Sequence, residues 1–538
     1  MSKIAPFRAI YFNPETVKDY SFAISPLEYR VRSQAQLSEI AKRNQFNIAR
    51  IIEPMFWQAP SEQEIQKLIE KSKEQKNVEE KLAELKQNAI NEFNSKHAQE
   101  FSAWLELGKL YRDELPGMYI YSREYFCETE NELKMQVGIV ALLELDSPDA
   151  SKPAKLIYKP PDELVEQAYY RRKYTFAQFS PCIVGFSDPK NSVKTTLKPY
   201  LQQPPNLIAF DEDGFAHIIR AIHDEGVIDA LQKIFNDFQL GIIEGAHHYL
   251  AAIKFRDEMK RLEHFGSGTE TIHNVLAYLL PLDGETKVEF EIINKAIFAD
   301  AAESLKTKEP PNIAKLRKEA EKQTADTQAA IEISEDEKEF LALTFDEVSP
   351  LSVAYLKAWF REYFEVEELA WKDEPAELLE TLENKLNVES ERAVALLLPQ
   401  KKTAFILKLQ DERSVKALLG ARKAQIYGFC DITVFWRSFL RKLFIGFDDD
   451  RDSIHFWDRE ELVQKLTATR TSQQNSKTPN IGLAMLFKQP SAKTALKFFE
   501  VEGTLSEQLF RIKYPPVCGL VSFRLALEDM EEVEEKTE

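Results

Sequence analysis

The pattern of apolar and polar positions divides the chain into stretches of different character. Across 61–106, Ile65, Leu68, Ile69, Val78, Leu82 and Leu85 form a stripe at helical spacing, and alternating Glu and Lys cover the outer face. A β-rich stretch follows. Residues 118–121 and 137–142 are predicted strands separated by the polar turn Glu128-Thr129-Glu130-Asn131, with further strands at 155–158, 182–186 and 217–221. The next signature is a strand–turn–helix unit. Leu240-Gly241-Ile242-Ile243 is a short apolar run, Glu244-Gly245 makes a turn, and 246–261 has helical periodicity. Strands at 275–280 and 288–293 flank Asp283-Gly284, which predicts a hairpin. Beyond Pro350, residues 351–364, 375–386, 433–444 and 459–468 are predicted helices, and 393–398 and 404–409 are predicted strands.

Between these elements the composition changes twice. Residues 299–350 combine Lys- and Glu-rich stretches with Pro310-Pro311 and a polar run at 323–327, which predicts a charged, partly helical, exposed insertion. The end of the chain, 528–538, has seven acidic residues in eleven and is predicted to lack a fold. The organisation read from these shifts is an N-terminal strand and turn region with charged helices over 1–110, an α/β core over 111–298, the insertion over 299–350, a C-terminal α/β unit over 351–527, and the acidic tail. The fold class is α+β.

At 538 residues with 44% hydrophobic and 29% charged residues, the chain is a globular protein of more than one packed unit. The start of the chain has no apolar secretory run, and no stretch approaches the roughly 20 apolar residues that cross a bilayer. A cytoplasmic protein with no membrane partner is expected. Cys127, Cys182, Cys430 and Cys518 form no metal-binding or redox spacing, so buried thiols are expected, and no residues are assigned as metal ligands. A formal net charge of −18 repels polyanions. The basic runs Arg171-Arg172-Lys173 and 437–442 are short and are read as solvated helix faces, so nucleic acid is not an expected partner. Asp211-Glu212-Asp213-Gly214 has Ile222 at the position where a calcium loop needs a bidentate Glu, and is read as a turn. Asp448-Asp449-Asp450 is read as a solvated loop.

An ordered set of segments resembles the domain-of-unknown-function 1015 family. The set comprises Pro6-Phe7-Arg8-Ala9, Ile24-Ser25-Pro26-Leu27-Glu28-Tyr29-Arg30-Val31, Tyr119-Ile120-Tyr121-Ser122-Arg123-Glu124-Tyr125-Phe126 and Phe179-Ser180-Pro181. It continues with Ile243-Glu244-Gly245-Ala246-His247-His248-Tyr249, Asp431-Ile432-Thr433-Val434 and the run from Lys513 to Val521. On this resemblance the chain is identified as a divergent full-length member. The resemblance implies a small α/β core like that of the ParB and sulfiredoxin-like superfamily, with long helical additions and the charged helical insertion. It also implies kinship with free-serine kinases, and therefore ATP or ADP with magnesium as cofactors if activity survives.

In that family the central segment reads Asp-Gly-His-His-Arg-Tyr. Here Glu244 stands for the Asp, Gly245 and His247 are kept, Ala246 replaces the first His, and His248 replaces the Arg. A glycine turn before a helix would let backbone N–H groups approach a phosphate, with cationic or imidazole groups clamping it. The resemblance therefore makes Gly245, His247 and His248 the ligand-binding candidates and Glu244 the catalytic carboxylate. Against this, adjacent helical residues point about 100° apart, so the two imidazoles are not expected to face one ligand squarely. Arg8 is a candidate to hold a carboxylate, although a lone Arg of this kind is more often in a surface or structural ion pair, and Lys159 is a candidate to replace a lost cation. The family's upstream His-Glu pair falls at 157–159 and its Asp-Arg pair at Gln167-Ala168, without equivalents. Its later Thr-His-Arg becomes Ile293-Asn294-Lys295, and a further His becomes Trp436. These losses imply a diverged member that binds a nucleotide or phosphorylated metabolite with kinase activity weakened or lost, a pseudoenzyme. Two other readings stand beside it: a non-catalytic scaffold whose charged helices meet a protein partner, and an active small-molecule kinase rebuilt around Glu163 and Glu166.

Overall fold

The computed structural model describes residues 3–525 except 32, 56–57, 73–75, 128–129, 146–153, 262–269, 285–287, 312, 316–348, 389–391, 458 and 472–479. Most of the expected insertion and all of the acidic tail lie outside the described residues. The described start of the insertion is not simply exposed: Ala299–Ser304 is a helix, and Ala299, Ala302, Leu305 and Ile313 are buried. Helices and mixed sheets together make an α+β fold. Among the described residues, no helix is long and apolar enough to cross a membrane. All four cysteines are buried and none is in a disulfide.

The chain forms two compact units, residues 1–290 with 491–538, and residues 291–490. The first unit is built on a nine-stranded sheet. Its order along the main path is Lys155–Leu156, Gly241–Glu244, Cys182–Phe186, Asn274–Pro281, Glu132–Glu144, Met118–Cys127, Ala216–Ile222 and Leu207–Phe210, with Ile4–Ala5 beside Glu132–Glu144. The central strands are buried nearly throughout, and their side chains are Ile, Val, Leu and Tyr, which fill both faces of a pleated layer. The helices Asp162–Thr175 and Ala246–Arg261 pack against each other. The charged stretch is two helices, Glu62–Ser72 and Val78–Glu106. Asn77 and Glu80 close the start of the second with a reciprocal capping box.

One expected pairing does not form. Asn274–Pro281 is a strand, but it lies antiparallel to Glu132–Glu144 and parallel to Cys182–Phe186, not in a hairpin across Asp283-Gly284. Asp283 is used otherwise: it accepts the Asp188 N–H at 2.6 Å and the Ser187 hydroxyl. A wholly apolar strand gains more by burial between two neighbours than at the edge of a local hairpin.

The second unit has a six-stranded sheet ordered Phe364–Leu369, Thr403–Leu409, Ala393–Leu398, Ile481–Phe487, Asn294–Phe298 and Ser453–Phe456. Helices Pro375–Val388 and Arg459–Thr471 cover one face through Leu378, Leu382, Leu386, Leu462 and Leu466. Asp449, expected in a solvated loop, is partly buried and paired: Lys295 Nζ lies 2.8 Å from Oδ2, and Trp436 Nε1 donates to Oδ1 at 2.6 Å. Lys295 and Trp436, two positions that the resemblance marks, thus converge on Asp449.

The first unit also buries an acid–base cluster around His217. His217 has no exposure; its Nδ1 lies 2.7 Å from the Tyr121 hydroxyl and its Nε2 3.2 Å from Asp211 Oδ2, which also receives Arg123 at 3.0 Å. Asp211 closes the turn that the sequence suggests there, accepting the Phe215 N–H at 2.9 Å. Burial lowers the His217 pKa below its usual 6.5. Burial alone would raise Asp211, but His217, the Phe215 N–H and Arg123 together hold it down at about 2. In both cases the unfolded chain binds protons that the fold refuses, so stability falls as pH falls: first below about 6.5 for His217, then below about 3.8 for Asp211. Denaturant titrations at pH 7, 6 and 5 should show this loss, with a shallower slope for His217→Gln; equal slopes would remove His217 from the account.

Candidate functional site

The site grows from three consecutive residues. Glu28-Tyr29-Arg30 forms a single 3-10 turn, and its three side chains all point inward to groups more than 100 positions away along the chain. Arg30 clasps Glu244, with its terminal nitrogen 2.7 Å from Oε1 and 2.9 Å from Oε2 and its Nε 3.2 Å from Oε2. The same guanidinium donates to the Ile512 carbonyl at 2.6 Å, and the Ile512 N–H donates to Glu244 Oε1 at 2.7 Å. Glu244 has no solvent exposure. Its carboxylate is thus engaged on both oxygens, fastening the N-terminal turn, the strand Gly241–Glu244 and the returning C-terminal segment together.

Gly245 follows in the left-handed region at φ +73°, where a Cβ would come within 3.0 Å of the Cys182 Cα. That turn lets the chain pass directly from the strand into helix Ala246–Arg261. At this helix start the His248 N–H donates to the Gly245 carbonyl at 2.9 Å, and the buried Tyr158 hydroxyl lies against the backbone N–H groups of Gly245 and Ala246. Tyr158, whose burial pushes its pKa up, stands where the glycine-turn argument would put a phosphate.

The two imidazoles converge, contrary to the expectation from their spacing. His248 Nε2 lies 2.8 Å and His247 Nε2 3.9 Å from the same oxygen, Glu28 Oε1, and the ring centroids are 4.2 Å apart. The backbone directions diverge, but rotation about the side-chain bonds brings both ring ends to a carboxylate set between them. Despite its short approach, His248 Nε2 is buried without a hydrogen bond, because the N–H direction misses the oxygen. The other oxygen, Oε2, takes the Ser180 hydroxyl, whose oxygen is also 2.9 Å from the Cys518 sulfur. Burial would raise the pKa of Glu28, but His248, His247 and Arg171 hold it well below the carboxylate range. Burial and His248 lower His247 to about 4.

Arg171 completes the group. Its NH1 lies 3.8 Å from Glu28 Oε1 and its NH2 donates to the Glu53 carbonyl at 2.6 Å. Arg171 and Arg172 are buried, 8% and 4% exposed, so this basic run is not a solvated face. Ala168, Arg171, Arg172 and Thr175 share the buried face of helix Asp162–Thr175, at the i, i+3, i+4, i+7 spacing of a core stripe. That spacing was the available signal for Arg171; it is obscured because two of the four positions are charged.

Three cavities meet at this arginine. One of about 20 Å³ is lined by Glu28, Arg171, Arg172, Ser180 and His248. A cleft of about 460 Å³ is lined by Glu28, Tyr29, Met55, Glu163, Gln167, Arg171 and His247, and one of about 480 Å³ by Met55, Ile90, Phe93, Glu163, Glu166 and Arg171. The larger two are of ligand-binding size. The helix Val78–Glu106 supplies a wall of the third, so one face of this charged helix looks into the cleft.

Of the residues suggested by sequence, His247 and His248 border cavities. Glu244 and Gly245 lie just behind them in the strand and turn. Arg8 and Lys159 do not line these cavities: Arg8 donates to the Asp113 carbonyl at 2.7 Å, and the exposed Lys159 pairs with Asp162 at 3.3 Å. Glu28 and Ser180 fall in segments that the resemblance marks, but nothing in their spacing indicates that they meet.

A sequence model of the family described as Protein of unknown function (DUF1015) matches residues 58–353, and the chain belongs to that family. No curated protein matches the chain. Among solved structures it is similar to a conserved hypothetical protein from Pyrococcus furiosus, at 12% identity over 72% of this chain and 96% of that one, with a TM-score of 0.26. It is also similar to two mutants of a free serine kinase, one in complex with AMP and one with ADP, at 11% and 10% identity. Each covers 72% of this chain and 98% of the other, with TM-scores of 0.25.

The clasp of Arg30 on Glu244 makes a definite stability prediction. Glu244→Gln leaves a mostly buried guanidinium without its counter-charge and should cost about 3 kcal/mol of unfolding free energy, in the range seen when one partner of a buried pair is removed. Denaturant unfolding of the two proteins checks this, and a loss below about 1 kcal/mol would contradict the fastening role.

Proposed function

We propose that the protein binds a nucleotide or another small phosphorylated metabolite in the cleft beside Glu28 and His247, and that phosphoryl transfer is weak or absent. The observation that carries this reading is Arg171. A guanidinium is retained in the interior at the cost of its hydration, and burial lowers its pKa. It borders all three cavities, and its one hydrogen bond among the described residues is to the Glu53 carbonyl. A planar fork with donors to spare is suited to two oxygens of a phosphate or carboxylate.

The surroundings narrow the ligand. Glu163 lines the cleft itself, and Asp162 and Glu166 line the adjoining cavity of about 480 Å³ together with Glu163 and Lys86. A bare polyphosphate extended along that wall would be repelled, so the anionic group belongs at the Arg171 end and a neutral or cationic part of the ligand outside it. Catalysis is disfavoured by what is already occupied. Both oxygens of Glu244 are held by Arg30 and the Ile512 N–H, and the Tyr158 hydroxyl lies against the helix start. Phosphoryl transfer depends on groups poised to offset charge on the phosphate oxygens.

Thermal shift with ATP, ADP, AMP and phosphoserine tests the proposal. A ligand at about 100 times its Kd stabilises the fold by roughly 2.7 kcal/mol. The shift should appear for at least one of these and largely vanish in Arg171→Lys, which keeps the charge but loses the fork. No shift with any of them, or an equal shift in the variant, refutes the reading. Phosphoserine formation from serine and ATP or ADP with magnesium should stay at least about 100-fold below ordinary kinase turnover of roughly 1–100 per second.

A further inference from the structure

The convergence of Glu28, His247 and His248 has a consequence separate from any organic ligand. Their ligand atoms all lie within 4.8 Å of one another, and all three residues are buried. Four-coordinate ligand atoms bound at about 2.0–2.2 Å stand roughly 3.3 Å apart, so the observed separations of 2.8 and 3.9 Å around Glu28 Oε1 bracket what an ion requires. Small rotations of the rings close the difference.

We propose that Glu28, His247 and His248 form a binding site for one divalent transition-metal ion, of the zinc, iron(II) or cobalt(II) class, open toward the cleft. Three features of the geometry favour an ion over a closed hydrogen-bonded cluster. His248 Nε2 is buried and has no hydrogen bond although the carboxylate is 2.8 Å away, which is the arrangement of two ligand atoms aimed at a common point instead of at each other. Ser180 donates to Oε2, leaving Oε1 alone to face the imidazoles, so the carboxylate is oriented as a one-oxygen ligand by a neighbour that does not itself compete. The cavities provide the remaining coordination positions: the small one of about 20 Å³ beside Glu28 and His248 has room for a water, and the cleft opens beside Glu28 and His247.

The donor set selects the metal. Two imidazoles and one carboxylate suit zinc and first-row transition ions, whereas magnesium and calcium take oxygen ligands. Two imidazoles and a carboxylate with open positions is a catalytic type of set, not the closed set of a structural zinc. Charge then links this site to the cleft. A divalent ion beside Glu28 and Arg171 leaves a buried excess of positive charge, which an anionic group bridging the ion and the guanidinium would neutralise. This last step rests on the ligand proposed above; the metal site itself does not.

The test is titration of the chelator-treated full-length protein with cobalt(II), followed by visible absorption, with zinc content of the untreated protein measured by mass spectrometry. A single equivalent should bind with the spectrum of nitrogen and oxygen ligands, and zinc should displace it. Magnesium in hundredfold excess should not. Glu28→Gln and the double variant Glu28→Gln, His247→Gln should lose the cobalt spectrum. Ser180→Ala should bind about 10- to 100-fold more weakly, as expected for a residue that orients a ligand. Far-UV circular dichroism establishes that each variant is folded, and Ser180→Ala keeps the test informative if the buried double variant is not. No stoichiometric binding to the wild-type protein, displacement by magnesium, or unchanged binding in folded Glu28→Gln and Ser180→Ala overturns the proposal. Because no organic ligand is present, the result is independent of the nucleotide thermal shift: cobalt binding without a nucleotide shift keeps the metal site and removes the ligand reading, and the reverse removes only the metal.

Discussion

A buried carboxylate persists in a fold only where its charge is answered on the spot, and the interior of the first unit contains two, Glu244 and Glu28. Glu244 is answered by Arg30, and Glu28 by His248, His247, Ser180 and Arg171. Both answers depend on the single turn Glu28–Arg30, which supplies the acid to one cluster and the base to the other. Removing either partner exposes the other to the full cost of an uncompensated buried charge. The N-terminal turn, two helices, one strand and the C-terminal return are therefore tied through polar contacts that are specific in direction, over a core whose apolar contacts are not.

This arrangement explains why the strand–turn–helix unit looks like a phosphate-binding element and is nonetheless filled. Gly245 provides the positive φ and the close approach to Cys182 that the turn requires, whatever the helix start then binds. There the Tyr158 hydroxyl lies against the helix start. The space open to a ligand lies on the side of His247, Arg171 and Glu28.

Local patterns made the secondary structure readable from sequence. The strands at Cys182–Phe186 and Ala393–Leu398, and the helix Ala246–Arg261, lie where periodicity and turn residues put them, because each is decided by burial of its own side chains. Asn274–Pro281 was legible as a strand and not as to its partners, since Asp283-Gly284 is a good hairpin turn and nothing local records that Glu132–Glu144 and Cys182–Phe186 would claim both edges. The site was legible only at His247 and His248, beside a recognisable turn. Arg171, Arg172 and Asp449 read as solvated because charged residues usually are; their placement depends on Glu53 and Glu28, on Asn274 and on Lys295 respectively, all remote in sequence. Periodicity reports which face of an element is covered. It is silent about which charge will meet which.

Position 246 shows how one substitution redirects a site of this kind. Where the resembled segment carries a histidine, this chain has a fully buried alanine, which cannot offer a ring to the helix start and leaves that end to Tyr158. The cationic clamp expected at 248 is replaced by an imidazole, shorter and able to bind as a neutral donor atom, and it turns toward Glu28. An arginine there would pair with Glu28 and satisfy it outright, as Arg30 does for Glu244. An imidazole leaves the carboxylate oxygen shared between two rings and the guanidinium of Arg171, none of them hydrogen-bonded to it in line within that group except Ser180 on the far oxygen. Position 248 is where the two properties meet: the imidazole there takes the place of a cationic clamp and is one of the three donors gathered beside the cleft.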